Sequence, residues 1–516
     1  MKNKKNVPAN IIFSDYPDVD VIRVEDTYYM VSTTMHFFPG CPVLRSYNLK
    51  DWEIASYVYD ILEDTPGQRL DDGHGIYGHG MWAASIRYYN GRFYICFVSN
   101  DTHKTYLFTS DSVEGPWKKS EISGFYHDMS LLFDDDGKVY TVSGNTEIHL
   151  TELKADLSGP VSGGVDKVII SDDREKVILG YEGSHIYKIN GKYYIFFIHW
   201  PKEKLRSESV FVSDKIEGPY TGRDLVSNDF MNWNSGAAQG GIVDTPDGKW
   251  YLILFQDHGA LGRMPVLVEI TFDKDGWPVF TPDENGQVPL QVSIEDLSPD
   301  YKYQPLYCSE FCNADGKLNS PWQWNHIPEL KNVAFENGTF SISTSNIVKN
   351  VCLAKNTLTQ RAFTEHCSAS VTVNFSKINE GDYAGLCALE GDYAFIAVTK
   401  RDGKYFIVEA ERKTPVEPWK IGSVDTEVPA ILAEVPVTDD ISSIQLKLKL
   451  DLSKENQNAV FSWFDKTEEN FITLGNPKKL HFTLDMFVGC RFALFNYSEK
   501  IAGGTAEFSD FKYVVE

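Results

Sequence analysis

Hydrophobic and polar residues alternate in short runs along residues 1–280, and the pattern repeats. Each repeat has an apolar strand, a tight turn and a strand rich in aromatic residues. Four of the five turns contain Asn-Gly or Asp-Gly, which tolerate the positive φ of a type I′ turn and therefore indicate β-hairpins. The hairpins lie at residues 21–32, 86–99, 130–144, 185–200 and 241–257.

A second hairpin follows most of the first ones, so each repeat has about four strands. These second hairpins lie at residues 44–53, 108–118, 211–221 and 270–280. Radially repeated four-stranded units close into a β-propeller, which predicts an all-β fold with five blades over residues 1–290. We expect residues 291–304 to form a linker and residues 305–516, where alternation resumes without the repeat, to form a β-sandwich.

A propeller brings the innermost strand of each blade to one axis. The residues just before the five hairpins should therefore meet in one funnel: Asp18, Trp82, Asp128, Glu182 and Gln239. Three of these residues are carboxylates. Acidic side chains on either side of a sugar are what hydrolysis of a glycosidic bond requires.

Charge narrows the range of partners. The chain has 49 Lys and Arg against 73 Asp and Glu, which gives a net charge of -24. This balance argues against nucleic acid and anionic membrane surfaces and favours a neutral ligand. Aromatic residues make up 13% of the chain, as expected for many strands and for rings that stack on sugar faces.

Other features indicate no further chemistry. The eight cysteines form no CxxC pair, so we interpret them as buried, reduced thiols. The segment 134–137 (DDDG) is interpreted as a hairpin turn rather than a metal site. No apolar run is long enough to cross a bilayer, and no apolar signal segment follows the basic N-terminus, so we expect a cytoplasmic protein.

Several phrases together resemble a known family. The stretch FSDYPDVDVIRVEDTYYMVS and the later WAASIRYYNGRFYI, HDMSLLFDDDGKVY, EGSHIYKINGKYYI and AQGGIVDTPDGKWY are similar to successive blade signatures of glycoside hydrolase family 43. The C-terminal PWQWNHIPE, TLTQRAF and YAGLCALE resemble the concanavalin A-like jelly roll that follows the propeller in its β-xylosidases and α-L-arabinofuranosidases.

The resemblance implies catalytic roles. Asp18 would be the general base, Glu182 the general acid, and Asp128 the residue that orients the acid and raises its pKa. Asp20 competes for the base role, and Asp15 is a weaker rival.

The chain departs from the family pattern where the family commonly has proline. It has Val19, Ala84, Met129 and Ser184 at those places. Proline contributes only backbone rigidity there, so no functional group is lost.

The resemblance also implies binding residues. Arg263 would hold a sugar hydroxyl, and Trp82, Phe37 and Phe38 would wall the sugar subsite. His258 would contact substrate or, through water, a calcium ion at the propeller centre. Many relatives have a histidine for that ion where this chain has Gln239. We predict that no cofactor is required and that calcium is an option.

The expected function is an exo-acting, inverting glycosidase. It would release terminal α-L-arabinofuranose or β-D-xylose from hemicellulose-derived oligosaccharides, and the residues do not decide between the two sugars. Two alternatives are an endo-arabinanase and a catalytically silent sugar-binding protein on the same scaffold.

Overall fold

The computed structural model describes residues 4–230, 235–417, 419–438 and 440–516. Within these ranges the regular elements are β-strands and short 3₁₀ turns, as expected for an all-β chain. The 3₁₀ turns are Asp71–Gly73, Gly259–Leu261, Leu330–Asn332 and Val351–Leu353. No helix in these ranges is long and apolar enough to cross a membrane.

The described residues of the N-terminal half form 23 strands. They are β1 (Lys4–Pro8), β2 (Asp20–Val24), β3 (Thr27–Val31), β4 (Phe37–Phe38), β5 (Gly40–Ser46), β6 (Glu53–Tyr59), β7 (Met81–Tyr89), β8 (Arg92–Ser99), β9 (Lys104–Ser110), β10 (Lys118–Ile122), β11 (Ser130–Phe133), β12 (Val139–Asn145), β13 (Glu147–Leu153), β14 (Asp166–Ser171), β15 (Val177–Ile189), β16 (Lys192–Pro201), β17 (Ser207–Ser213), β18 (Thr221–Val226), β19 (Ile242–Asp244), β20 (Trp250–Asp257), β21 (Arg263–Phe272), β22 (Pro278–Phe280) and β23 (Gln291–Glu295).

Five antiparallel sheets of four strands confirm the propeller. They are β2-β3-β5-β6, β7-β8-β9-β10, β11-β12-β13-β14, β15-β16-β17-β18 and β19-β20-β21-β22. The first strand of each sheet is the innermost, and β2, β7, β11, β15 and β19 contact their neighbours around the axis. The repeated hairpins therefore form the inner part of every blade.

The expected linker begins with a strand. Gln291–Glu295 pairs antiparallel with Lys4–Pro8, with Val292 opposite Val7. Val292 and Ile294 are buried in the propeller core, which is the physical reason why this stretch is held against the blades. The first five residues of the expected linker at 291–304 therefore form a strand that packs on the propeller.

In the C-terminal half, the part of the chain that the structure describes has 15 strands. They are β24 (Gln323–Asn325), β25 (Val333–Glu336), β26 (Thr339–Ser343), β27 (Leu358–Arg361), β28 (His366–Lys377), β29 (Asp382–Leu389), β30 (Ala394–Arg401), β31 (Lys404–Glu411), β32 (Ala430–Pro436), β33 (Ser443–Asp451), β34 (Asn458–Asp465), β35 (Asn470–Thr473), β36 (Lys478–Lys479), β37 (Arg491–Ser498) and β38 (Thr505–Val515).

These strands form a sandwich of two eight-stranded sheets. One has the order β32-β31-β30-β29-β37-β27-β24-β4, and the other has the order β25-β26-β38-β28-β33-β34-β35, with β36 also paired to β34. Inward-facing residues of both sheets, such as Leu386, Ile396 and Leu448, make a common core. Strand β4 of the N-terminal half completes the first sheet, so the two halves share a continuous hydrogen-bonded layer.

Candidate active site

A cavity of about 590 Å³ lies where the inner strands of the propeller meet the sandwich. Six of the predicted site residues line it: Asp18, Trp82, Asp128, Glu182, Gln239 and Arg263. The carboxylates come from three different blades, on the segment before β2, the segment before β11 and within β15.

Unusual backbone conformations place these side chains. Asp18, Asp128 and Gln239 hold equivalent positions in three blades, and their φ angles are 53°, 49° and 58°. Residues other than glycine rarely adopt this left-handed region, and where they do the surroundings must hold them there. Because the same turn recurs just before an inner strand, each of these three blades places one polar side chain at the cavity.

A different backbone feature, a β-bulge, brings Glu182 to the cavity. The pairing of β15 with β16 shifts register on both sides of Glu182, which is a β-bulge. The next residue, Gly183, has φ 62°, and a Cβ there would lie 2.6 Å from the Gln239 side chain. Only glycine fits this contact, and the bulge turns the Glu182 carboxylate out of the regular alternation.

Asp18 is buried and paired with a cation. Its Oδ1 accepts a hydrogen bond from Arg263 Nη1 at 2.9 Å, and both side chains are less than a tenth exposed. Burial raises the pKa of Asp18, and Arg263 opposes that rise. The structure therefore assigns Arg263 a contact with the proposed base, in addition to any contact with a sugar.

Asp20 is not available as a base. It is fully buried, and its carboxylate binds Arg87 Nη1 at 2.6 Å, His185 Nδ1 at 3.0 Å and the Ile86 amide at 2.8 Å. Burial alone would raise the pKa of Asp20, but Arg87 and His185 outweigh it and lower the pKa. Asp20 does not line the cavity, whereas Asp18 does.

Asp15 also lies outside the funnel. Its Oδ1 accepts from the Arg263 amide at 2.8 Å and its Oδ2 from the Gly489 amide at 2.9 Å. Asp15 therefore joins blade 5 to the sandwich next to the site.

Two polar residues that sequence reasoning missed contact Glu182. Asn145 Nδ2 donates a hydrogen bond to Glu182 Oε2, and His127 Nε2 lies 3.4 Å from the same oxygen. His127 Nδ1 also lies 3.8 Å from Asp128 Oδ1. Burial raises the pKa of Asp128; His127 opposes this rise, and the charge of Glu182 adds to it.

Ser184 stands where the family that the sequence resembles commonly has proline, and it makes hydrogen bonds there. Its hydroxyl oxygen lies 2.7 Å from both the Asp128 and the Val142 carbonyl oxygens and donates its one proton between them, and its amide donates to the Asp128 carbonyl at 3.2 Å. A proline could make neither the amide nor the hydroxyl contact. The two blades that carry Asp128 and Glu182 are thereby tied together directly.

The sandwich closes the cavity. Its segment between β36 and β37 contributes Phe482, Leu484 and Phe487 to the lining, and its segment between β31 and β32 contributes Trp419 and Ile421. The Phe487 carbonyl accepts from Arg263 Nη2 at 3.2 Å, and its ring packs edge-on to Trp82 with centroids 5.8 Å apart. Trp419 is 76% exposed, so an indole stands at the rim.

Three predicted binding residues do not reach the cavity. Phe37 and Phe38 form β4, pair with β24 and are fully buried, with the Arg491 guanidinium 3.5 Å from the Phe37 ring centre. The chain after β3 pairs with the sandwich instead of lining the funnel, which is why both rings become core. His258 lies under the cavity floor beside Gln256 at 3.0 Å, and burial lowers its pKa to about 4.

The propeller centre carries a side-chain cation. Arg87, on β7, donates to the Leu131 carbonyl at 2.9 Å and to the Ile186 carbonyl at 3.3 Å, in addition to its bond with Asp20. Its guanidinium also lies 5.1 Å from the Tyr187 ring centre, and the Tyr187 hydroxyl accepts from an amide of β19. All five inner strands thus converge on one guanidinium.

These axial residues do not fit the optional calcium ion. Calcium takes six to eight oxygen ligands, which can include water, and the Arg87 guanidinium is a resident positive charge that would repel the ion. Here both Asp20 carboxylate oxygens and the two inner-strand carbonyls already accept hydrogen bonds from Arg87 or its neighbours.

The sequence profile of glycosyl hydrolases family 43 matches residues 8–278, and that of the β-xylosidase C-terminal concanavalin A-like domain matches residues 309–514. The chain belongs to glycosyl hydrolase family 43. These two matches coincide with the propeller and the sandwich, and the jelly-roll prediction is confirmed with them.

Relatives within family 43 have different names. A β-xylosidase of Formosa agariphila is 28% identical over 353 residues, which cover 62% of this chain and 58% of that protein. A non-reducing end α-L-arabinofuranosidase of Bacteroides ovatus is 26% identical over 476 residues, which cover 85% of this chain and 84% of that protein.

Solved structures of family 43 share the whole architecture. A bifunctional GH43-CE protein of Bacteroides eggerthii is 38% identical with a TM-score of 0.88, and the match covers 100% of this chain and 64% of that one. A GH43 hydrolase engineered in its active site, described as displaying both endo-xylanase and exo-arabinofuranosidase activity, is 27% identical with a TM-score of 0.87 and coverage of 99% and 100%. The chain therefore spans less than two thirds of the Formosa and Bacteroides eggerthii proteins.

Proposed function

We propose that the protein is an exo-acting, inverting glycoside hydrolase that releases a terminal pentose from hemicellulose-derived oligosaccharides. The observation that carries the proposal is the meeting of Asp18, Asp128 and Glu182 in one cavity that the sandwich closes. Acid and base are both side chains of this chain, so the reaction needs no cofactor.

The proposed mechanism assigns one task to each carboxylate. Asp18 takes a proton from a water molecule, which attacks the anomeric carbon as the glycosidic bond breaks, and Glu182 gives a proton to the leaving oxygen. Arg263 holds Asp18 in place through the contact at 2.9 Å. Asp128 lies beside Glu182; burial raises the pKa of Asp128, and the charge of Glu182 adds to that rise.

The closed cavity favours release of single units. An endo-acting arabinanase needs an open groove that accommodates sugars on both sides of the cleaved bond. Here Phe482 and Phe487 of the sandwich cover one side, and the remaining mouth has Trp200 and Trp419 in its lining. Aromatic rings stack on the flat faces of sugars, so these two residues would bind the part of the oligosaccharide that leaves.

The choice between xylose and arabinose stays open in the proposal. Relatives of comparable identity are named β-xylosidase and α-L-arabinofuranosidase. We propose that α-L-arabinofuranose, β-D-xylose or both occupy the same pocket.

Three measurements test the proposal. Nitrophenyl β-D-xyloside and nitrophenyl α-L-arabinofuranoside report activity, chromatography of products from xylo- and arabino-oligosaccharides reports whether single units are released, and NMR of the first product reports its anomer. We expect hydrolysis of at least one glycoside, monosaccharide as the first product, and an inverted anomer. A retained anomer would contradict the role of Asp18, and early release of longer fragments would favour the endo-acting alternative.

The silent sugar-binding alternative lacks support from the site. Such a protein needs no general acid or base, yet all three carboxylates line the cavity. Binding of pentosides without hydrolysis of either nitrophenyl glycoside would favour it over the enzyme.

A further inference from the structure

His127 lies between two carboxylates of the site. Its Nε2 is 3.4 Å from Glu182 Oε2, and its Nδ1 is 3.8 Å from Asp128 Oδ1. The ring packs beside Trp82 with centroids 5.9 Å apart, and the side chain is 24% exposed at the cavity wall. Nothing in the mechanism above uses this residue.

The contacts require a particular protonation state. A neutral imidazole has one N–H and can direct it at only one carboxylate, whereas an imidazolium directs an N–H at both. Asp128 Oδ1 is buried and has no hydrogen-bond donor among the described residues, so a charge on Nδ1 compensates it. The charge of Asp128 and the hydrogen bond to Glu182 raise the pKa of His127 to about 9, although burial opposes the rise.

We propose that His127 is a positioning residue that carries a positive charge between Glu182 and Asp128 and thereby sets the pH range in which the enzyme works. The proposal rests on the acid role of Glu182 proposed above. It adds a positive charge beside the three carboxylates, which allows them to share one cavity.

The expected direction follows from Coulomb attraction. A cation favours the ionised form of a neighbouring carboxylate, so its removal lets Asp128 hold its proton to higher pH. Asp18 and Asp128 both work as carboxylates, so the acid limb of the rate profile reports both groups and should move up with the pKa of Asp128. The other groups facing His127 and its partners are Asn145, which is uncharged, His185, which acts on Asp128, and Asp18, which interacts with the charge of Asp128.

The test is a pH profile of kcat and kcat/KM for His127→Gln with an unactivated disaccharide substrate. Glutamine retains an amide donor for Glu182 and removes the charge. We expect the acid limb to move to higher pH by about 1 unit. His149→Gln is the matched control, since His149 is an exposed histidine of the same blade, on β13, and should leave the profile unchanged.

Two outcomes would overturn the proposal. A lower kcat with an unmoved acid limb would show that His127 only fills space. An acid limb that moves to lower pH would show that the charge of His127 has the opposite effect on Asp128. The ring can also be observed without any activity, by NMR titration of labelled histidines, with His127→Gln to identify the signal. We expect the His127 ring to be protonated at neutral pH; titration at or below the ordinary value of 6.5 would refute the proposal even if no pentoside is cleaved.

Discussion

Arg87→Met removes the cation from the propeller axis while keeping an unbranched side chain. The substitution deletes the ion pair with Asp20 and the hydrogen bonds to the Leu131 and Ile186 carbonyls. Asp20 is completely buried and Arg87 is 12% exposed, so water cannot replace the lost partner easily. His185 then remains as a hydrogen-bonding neighbour of the Asp20 carboxylate.

The cost can be estimated from these contacts. Removing one partner of a buried ion pair costs about 3–5 kcal/mol. The unfolding midpoint of a domain of comparable size falls by about 2–4 °C for each kcal/mol, so we expect Tm of the propeller to fall by about 6–20 °C.

The assay is differential scanning calorimetry of the wild type, Arg87→Met and Arg92→Met. Arg92 lies on the same blade and pairs with Asp111, but the two side chains are 49% and 75% exposed. Exposed pairs contribute about 0–1 kcal/mol, so this control should melt close to the wild type. The wild type should also melt at the same temperature with and without EDTA.

Two results would refute the reasoning. If Arg87→Met melts together with Arg92→Met, the axial guanidinium stabilises little. If EDTA lowers Tm of the wild type and calcium restores it, a metal ion rather than Arg87 supports the centre of the propeller.

Three further predictions concern the cavity. Glu182→Gln should slow the hydrolysis of substrates with poor leaving groups by about 10²–10⁴-fold and that of nitrophenyl glycosides far less, because only poor leaving groups need protonation. Equal losses on both kinds of substrate would mean that Glu182 is not the acid. Burial raises the pKa of Asp18, so the acid limb of the kcat/KM profile should lie above 3.8. Arg263→Met should move this limb to still higher pH because the opposing cation is gone, and an unmoved limb would contradict the pairing of Arg263 with Asp18. Phe487→Ala should lower kcat/KM by about tenfold, since the ring contact with Trp82 is lost, and unchanged kinetics would remove Phe487 from the site.

Local signals accounted for most of the fold prediction. Asn90-Gly91 and Asn190-Gly191 have φ of 49° and 78°, and 50° and 80°, so the tight turns form as their residue types indicated. The alternation of apolar residues then places each hairpin in a sheet, and five repeats close a propeller. The pairing of β23 with β1 gave no local signal, because composition shows a turn-rich stretch but not that Val292 and Ile294 have a partner strand nearly 290 residues earlier.

The carboxylate positions were also visible in the sequence, but their chemistry was not. Asp18 and Asp20 have the same residue type two positions apart, and only the structure separates them. Asp18 faces the cavity and Arg263, whereas Asp20 is enclosed by Arg87 and His185. Charge and burial are properties of the surroundings, and those surroundings come from other blades.

The sequence alone determined the repeat, the five blades, the two-part organisation and the three carboxylates at blade starts, because turns and alternation depend on neighbouring residues. Only the tertiary structure decided that Phe37 and Phe38 become core, that Phe487 and Trp419 complete the cavity, and that Arg87 occupies the axis. Those outcomes depend on contacts between residues far apart in the chain. Such contacts leave no periodic signal, so packing rather than pattern determines them.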